Sequence, residues 1–498
     1  MPCDEAGMVV FGRNRRWREE YWAALAEKAY AKLCGCYAVL EGGSAADALV
    51  DLTGGVALTV DLRSAALARD ALAAQLARAQ AGAGRYLVGC ARGARGAWRG
   101  IVPGHAYQVL RVLHAVPLAG GAGACVDLVH VRSPWARSPW TGAWAPASPA
   151  WHTVEPSASV QLGAVRAAAD ADGSFFMDAG DLCAAFDTLC LCRTDLAGCR
   201  TAAVRGAWAP GSSAGGSRDC PTWACNPQYR VTVDRPAHVF VVVSQADTRY
   251  AFSAGAAASS GTTTPLGQPL EMGFSVYARC TEGKRVVCPE GLERHGVLCT
   301  HAALAAMRER ALPVRLTPED GPVVVVPALA SPGVAGRFVL TVVATSPPDA
   351  RVHIAPVAEW AHTRVCRGRW ALPRCGGCFR GGDDDEGWRR NPTYVLRAEG
   401  DVVLTLTTAD TSTATVASAP SVGLYVLAEG RVAAQSAHFA QRVALTVDAA
   451  DATQCRILCA TFHPGVVADF VLSVYSEKPF DISPDDDDDD DEDYRDYF

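Results

Sequence analysis

Residues 330–347, ASPGVAGRFVLTVVATSP, align without gaps to residues 462–479, FHPGVVADFVLSVYSEKP, with eight identities that include Pro332/Pro464, Phe338/Phe470 and Leu340/Leu472. A second set of matches lies upstream in each copy. Trp208, Gly215-Gly216 and the NPQYRV stretch at 226 correspond to Trp370, Gly376-Gly377 and NPTYVL at 391. A chain that carries one unit twice is expected to fold that unit twice. Each copy is a series of short apolar-alternating runs separated by turn residues, the pattern of an antiparallel β-sandwich. The first copy is assigned to residues 197–350 and the second to 351–482. The first is longer between its Asn-Pro and its Pro-Gly, and the excess is expected as loops together with a helix at His301 to Leu312.

Upstream of the repeat the texture changes. Residues 15–40 carry Tyr21, Trp22, Leu25, Ala29 and Leu33 at helical spacing between charges, which predicts an amphipathic helix. Residues 45–52 predict a second short helix ended by Thr53-Gly54-Gly55, and residues 62–84 a third rich in Ala, Leu and Arg. From residue 86 onward strands follow: YLVGC, HAYQVLRVLHAV and VDLVHVRSPW, the last two joined by the Gly-rich PLAGGAGA, a hairpin signal. His105 opens the first strand of that hairpin after the turn-forming Pro103-Gly104, while Ser133 and Trp135 close the second. Antiparallel pairing brings those two ends together, so the three residues are expected to share a site.

At 498 residues, 49% of them hydrophobic, the chain has material for about three globular units. No apolar run reaches the ~18 residues of a membrane span, and the first residues lack the layout of a signal peptide, so a cytoplasmic location is expected. Nineteen scattered cysteines without a secretion signal read as reduced thiols. The net charge of -7 comes from the aspartate-rich tail, residues 483–498, whose composition predicts disorder. The remaining body is near neutral, which argues against nucleic acid as the main partner.

Five stretches, in this order, carry a resemblance: EKAYAKLCGCY (27–37), DLTGGV (51–56), GHAYQV (104–109), RSPWARSPWTGAW (132–144) and DGSFFMDAGDL (172–182). Together with the two repeats they resemble the calpains, papain-like cysteine proteases of the cytosol whose catalytic core precedes C2-like β-sandwiches. The resemblance implies an α+β chain: the distal part of a papain-like core, comprising the helical remnant of a first lobe (1–53) and a second lobe (54–196), followed by two antiparallel β-sandwich domains. It implies that His105 is the general base and the ion-pair partner that lowers a thiol pKa. Ser133 stands at the position of the family's asparagine, which orients the imidazole, and Trp135 at that of the tryptophan shielding this hydrogen bond. The family's nucleophilic cysteine lies in a Gln-Gly-x-x-Gly-Asp-Cys-Trp stretch upstream of the EKAYAKL match, and no such stretch occurs here, so the nucleophile is expected outside this chain and the chain alone is expected to be inactive. Cys34 and Cys36 are expected as buried structural thiols of the first lobe. The alternative is a pseudo-protease acting as a regulatory or membrane-peripheral scaffold.

The resemblance also implies calcium in the second lobe, with acidic ligands at positions 139, 146, 172 and 174. Those positions hold Pro139, Pro146, Asp172 and Ser174, a degenerate set, so no cofactor is expected to be bound there. DADGSFFMDA (170–179) mimics an EF-hand loop but lacks its first acid and its bidentate glutamate. Cys288, His295, Cys299 and His301 match no zinc spacing and read as loop residues, and Cys375-Gly-Gly-Cys378 reads as structural because its glycines belong to the repeat. The acidic run at 383–386 reads as a solvated loop. Expected partners are protein substrates of a complete protease and phospholipid or protein surfaces met by the sandwiches. Neither a transmembrane segment nor an EF-hand small subunit is expected.

Overall fold

The computed structural model describes residues 20–64, 72–77, 86–119, 123–134, 140–166, 173–248, 268–278, 285–288, 298–379, 387–408 and 420–485, with Glu5 and Gly12, apart from single positions at 75, 95, 161, 164 and 165. Two helices lead. α1 (Trp22–Cys34) ends at Gly35, whose φ of 109° only glycine adopts readily. α2 (Ala45–Thr53) starts where the Ser44 hydroxyl accepts from the Ala46 N–H at 3.2 Å, and ends at left-handed Gly54. The apolar stripe read from residues 21–33 faces outward, with Trp22 67% and Leu25 55% exposed. α1 instead buries Ala24, Ala31 and Cys34, small side chains that let it close on the 3-10 turn Tyr37–Leu40. Of the third predicted helix, residues 62–84, only part lies within the described residues, and Leu72 and Leu76 there are buried.

Six strands follow: β1 (Val56–Asp61), β2 (Tyr86–Arg92), β3 (His105–Pro117), β4 (Cys125–Arg132), β5 (Ser174–Asp178) and β6 (Thr188–Arg193), in the antiparallel order β1-β6-β2-β3-β4-β5. Alternation along the strands divides the sheet into two faces. Val88, Cys90, Tyr107, Val109, Val129, Val131, Phe175 and Met177 fill one core, while Leu128 and Phe176 point to the other face, against Trp144 and Trp151. SFFMD, the middle of the EF-hand mimic, is β5, and Asp178 caps α3 (Ala179–Ala185) by accepting from the Asp181 N–H at 2.7 Å.

The repeat is visible strand for strand. The first copy comprises β7 (Thr201–Trp208), β8 (Tyr229–Val233), β9 (Ala237–Gln245), β10 (Glu271–Ala278), β11 (Leu298–Ala306), β12 (Glu309–Leu316), β13 (Val323–Leu329), β14 (Gly336–Ser346) and β15 (Val352–Pro356). The second comprises β16 (His362–Trp370), β17 (Thr393–Ala398), β18 (Val402–Thr408), β19 (Val422–Ala428), β20 (Arg431–Gln435), β21 (Arg442–Val447), β22 (Cys455–Thr461), β23 (Ala468–Ser476) and β24 (Phe480–Pro484). Sheets β12-β9-β14-β7 and β11-β10-β13-β8-β15 are reproduced in the second copy as β21-β18-β23-β16 and β20-β19-β22-β17-β24. Each pair of sheets encloses one core, Val241, Phe274, Val325 and Leu340 in the first and Leu404, Leu424, Ile457 and Leu472 in the second.

The matched residues form a clasp present in both copies. Asn226 donates to the carbonyls of Gly216 (2.8 Å) and Trp223 (3.0 Å), and Asn391 donates to those of Gly377 (2.7 Å) and Trp388 (2.7 Å). Gly216 and Gly377 have φ of 80° and 78°, and a Cβ on either would press on the backbone nitrogen of Pro332 or Pro464. The indole N–H groups of Trp208 and Trp370 donate across their sandwiches to the carbonyls of Pro327 and Cys459.

Three expectations are corrected. Residues 301–312 are two strands joined by a turn at Met307 and Arg308: β11 pairs with β10 and β12 with β9, so ladder hydrogen bonds override the helix-forming Ala, Leu, Met and Arg of this stretch. β15 pairs with β8 of the first sandwich, so that unit extends past residue 350 to Pro356. β24 pairs with β17 as far as Pro484, so Ser483 and Pro484 belong to the second sandwich and not to the tail. The acidic run 383–386 and residues 486–498 lie outside the described residues.

The units are joined by apolar faces. Val56 and Leu58 of β1 pack on Phe240, Val242 and Val343 of the first sandwich. Trp223, Tyr277 and Val324 on that sandwich's other side pack against Tyr475 and Val403 of the second. Among the described residues no helix is long and apolar enough to cross a membrane.

Candidate active site

The loop between β2 and β3 sets the position of His105. Buried Arg92 donates from its guanidinium to the carbonyls of Gly96 (2.9 and 2.8 Å) and Ala185 (2.6 Å), and the Asp187 carboxylate accepts from the Gly93 N–H at 2.7 Å. Gly104, at φ 73°, donates to the Arg92 carbonyl at 2.8 Å and turns the chain into β3, where His105 lies opposite Arg92. Alternation puts His105 on the same face as buried Tyr107 and Val109, at the rim where that core meets solvent, and the imidazole is exposed. The Tyr107 hydroxyl accepts from the Val102 N–H at 3.0 Å, which ties the start of this loop segment to the strand.

Gln108 pairs with Arg132, so Ser133 leaves β4 level with Tyr107. Ser133 is buried and shares its face with Val129 and Val131, which is also the face of His105. The fold thus brings His105 and Ser133 to one end of one face on neighbouring strands. Trp135, the third predicted residue, lies outside the described residues. Sequence reasoning missed Trp140 and Trp98. Trp140 is buried, stacks on Phe175 (centroids 6.4 Å apart, planes at 22°) and lies 5.6 Å from Trp98, forming an aromatic wall on this core face. The signal was present in RSPWARSPW, where Ser-Pro-Trp occurs twice.

The buried thiols of this sheet, Cys90, Cys190 and Cys192, are unsuited to nucleophilic work, whereas Cys125 at the far end of β4 is exposed. Cys90 is pushed up by complete burial, Cys190 by burial to about 12, and Cys192 upward by burial, although Thr53 opposes this through a hydrogen bond. A reactive thiol needs the reverse, a stabilised thiolate. Cys34 is buried, as expected of a structural thiol, whereas Cys36 follows the end of α1 and is exposed, contrary to expectation.

Of the second-lobe calcium positions implied by the resemblance, Pro146 and Ser174 line a small cavity on the opposite face. Pro146 has no donor oxygen in its side chain, and Ser174 is buried with its Oγ hydrogen-bonded to His130 Nε2 at 2.6 Å. Pro139 and Asp172 lie outside the described residues. A calcium ion takes six to eight oxygens, several of them carboxylate. The described lining supplies aromatic rings and the Arg166 guanidinium in their place, so the residues do not fit the ion. Elsewhere Cys299 and His301 lie on β11 and not in a loop, Cys288 is buried, and His295 is outside the described residues. Cys375 and Cys378 are buried, and among the described residues no three His, Cys, Asp or Glu side chains assemble as metal ligands.

Comparison with known proteins bears on this arrangement. A model described as calpain family cysteine protease matches residues 1–193, and one described as calpain large subunit, domain III matches residues 204–343. The chain belongs to the calpain family. Calpain-5 of Mus musculus is 30% identical over 364 residues, covering 67% of this chain and 53% of that protein. Calpain-10 of Mus musculus is 28% identical over 423 residues, 79% of this chain and 61% of that protein. Calpain-type cysteine protease DEK1 of Arabidopsis thaliana is 36% identical over 263 residues, 49% of this chain and 11% of that protein. The chain thus spans about half the length of Calpain-5. The domain III match ends within β14, and the second sandwich of this calpain repeats the matched unit's strand order.

Proposed function

We propose that this chain is the histidine-bearing part of a calpain-type cysteine endopeptidase that cleaves internal peptide bonds of cytoplasmic proteins. The two sandwiches, read as C2-like modules, serve as regulatory or membrane-peripheral surfaces toward phospholipid or protein. In this reading the six-stranded sheet is the second lobe of a papain-like core. His105 takes a proton from a cysteine supplied by polypeptide outside this sequence, and returns it to the leaving amine. The observation that carries the reading is the seating of His105: an exposed histidine at the rim of an aromatic-walled core face, on a strand start held by Arg92 and Gly104, with Ser133 at the same end of that face on the neighbouring strand. Burial of Cys90, Cys190 and Cys192 supports a nucleophile from elsewhere.

Ser133 favours a second reading, a pseudo-protease scaffold, because a hydroxyl is shorter than an asparagine amide and reaches the imidazole less readily. The native protein, captured by an antibody to the second sandwich, separates the two through its intact mass and its hydrolysis of casein. The endopeptidase reading expects a mass above 52.4 kDa and hydrolysis that iodoacetamide blocks and His105→Ala abolishes. Equal hydrolysis by wild type and His105→Ala would sink the catalytic role, and no hydrolysis from a species of 52.4 kDa would leave the scaffold.

A further inference from the structure

The corner of the sheet where calcium does not fit carries a half-buried cation, Arg166. His130 lies opposite Phe176 and stacks on it with centroids 4.3 Å apart and planes at 8°. Phe176 meets the edge of Trp151 at 5.5 Å and 89°, and Trp151 meets Trp144 at 5.2 Å and 83°. The Trp151 indole donates to the Ala145 carbonyl at 2.9 Å, closing the 140–154 segment onto itself. Over the free face of Trp151 sits Arg166, its guanidinium carbon 4.1 Å from the ring centroid. Arg166, Pro146 and Ser174 line the same small cavity.

The chemistry of this lining is the inverse of a calcium site. Hard divalent ions take charged oxygens, whereas a weakly hydrated planar guanidinium is held by the negative face of an indole. We propose that Arg166, seated on Trp151, takes the structural place of a divalent cation and fastens the 140–154 segment, so that this part of the lobe is ordered without calcium. The His130–Ser174 hydrogen bond completes the exchange, because it uses the hydroxyl that stands at one ligand position. The proposal concerns order in the lobe and does not depend on His105 being catalytic.

Hydrogen–deuterium exchange on the full chain tests it, with 1 mM calcium chloride or with EGTA. In wild type, peptides from 140–154 and 174–178 are expected to exchange identically in both. Arg166→Gln should exchange at least about tenfold faster in 149–154, the effect of losing roughly 1.4 kcal/mol, and calcium should not restore it. Arg166→Lys, which keeps the charge but loses the planar fork, should fall between the two. The second sandwich serves as the internal control for overall folding. Calcium-dependent protection of 140–154 in wild type that Ser174→Ala removes would overturn the proposal, and so would an Arg166→Gln variant with unchanged exchange. The wild-type calcium comparison holds even where a variant fails to fold.

Discussion

Replacing Glu309 with glutamine should stabilise the junction between α2 and the first sandwich at neutral pH and do little in acid. Glu309 opens β12, pairs through its backbone with Ser244, and has a buried Oε1 without a hydrogen-bond partner. Burial pushes its carboxyl from the ordinary 4.5 to about 7; Arg308 pulls it down, and Asp47 and Asp51 of α2 push it up further. A raised carboxyl pKa means that the folded state keeps a proton that the unfolded state releases. Stability is therefore lost as pH rises from 4.5 to 7, by about 3 kcal/mol, since each pH unit of difference is worth ~1.4 kcal/mol. Glutamine removes the ionisation but leaves an amide to be satisfied, so the net gain at pH 7.5 should be about 2 kcal/mol. Exchange in 45–53 and 309–316, corrected for the intrinsic rate, should then slow about thirtyfold at pH 7.5. At pH 5, where most of the ionisation penalty is absent, the two proteins should agree within about threefold. A ratio equal at both pH values would refute the argument, because no titrating group would then separate the variants.

Two further outcomes follow from the same geometry. Arg308, in the β11–β12 turn, reaches Asp51 at 2.8 Å, Asp247 at 3.2 Å and Asp47 at 3.6 Å, with Tyr30 donating to Asp51 at 2.8 Å. Arg308→Met should cost about 3 kcal/mol in urea titrations by stranding these carboxylates, and adding Asp51→Asn should recover part of it; full additivity would show the network to be uncoupled. In the second sandwich, Gly377→Ala should cost well over 1 kcal/mol, since it combines φ 78° with a Cβ 2.7 Å from Pro464 N. Gly465→Ala has similar φ, 76°, but open space, and should cost only about 1 kcal/mol. Equal losses would mean that the clasp contact contributes nothing.

What the sequence made legible is whatever local chemistry demands regardless of neighbours. Gly216 and Gly377 are needed for positive φ, and Asn226 and Asn391 for an amide that bridges two carbonyls, so both copies retain them and the second sandwich could be read from the first. The β3–β4 hairpin was legible for the same reason, its turns marked by Pro103-Gly104 and the glycine run, and alternation then put His105 and Ser133 on one face. Hidden features depend on distant partners. The 301–312 stretch reads as a helix until β10 and β9 recruit its two halves as edge strands and α2 arrives against Arg308 in the turn between them. The large side chains of α1 suggest a buried face, yet the small ones make the close contact. Site chemistry is the extreme case. Ser174 looks like a merely missing acid in sequence, and becomes half of a buried hydrogen bond only when β4 sets His130 opposite Phe176, diagonal to it. Residue types alone showed no acid at 139, 146 or 174; the Arg166 guanidinium over Trp151 became visible only in the folded chain.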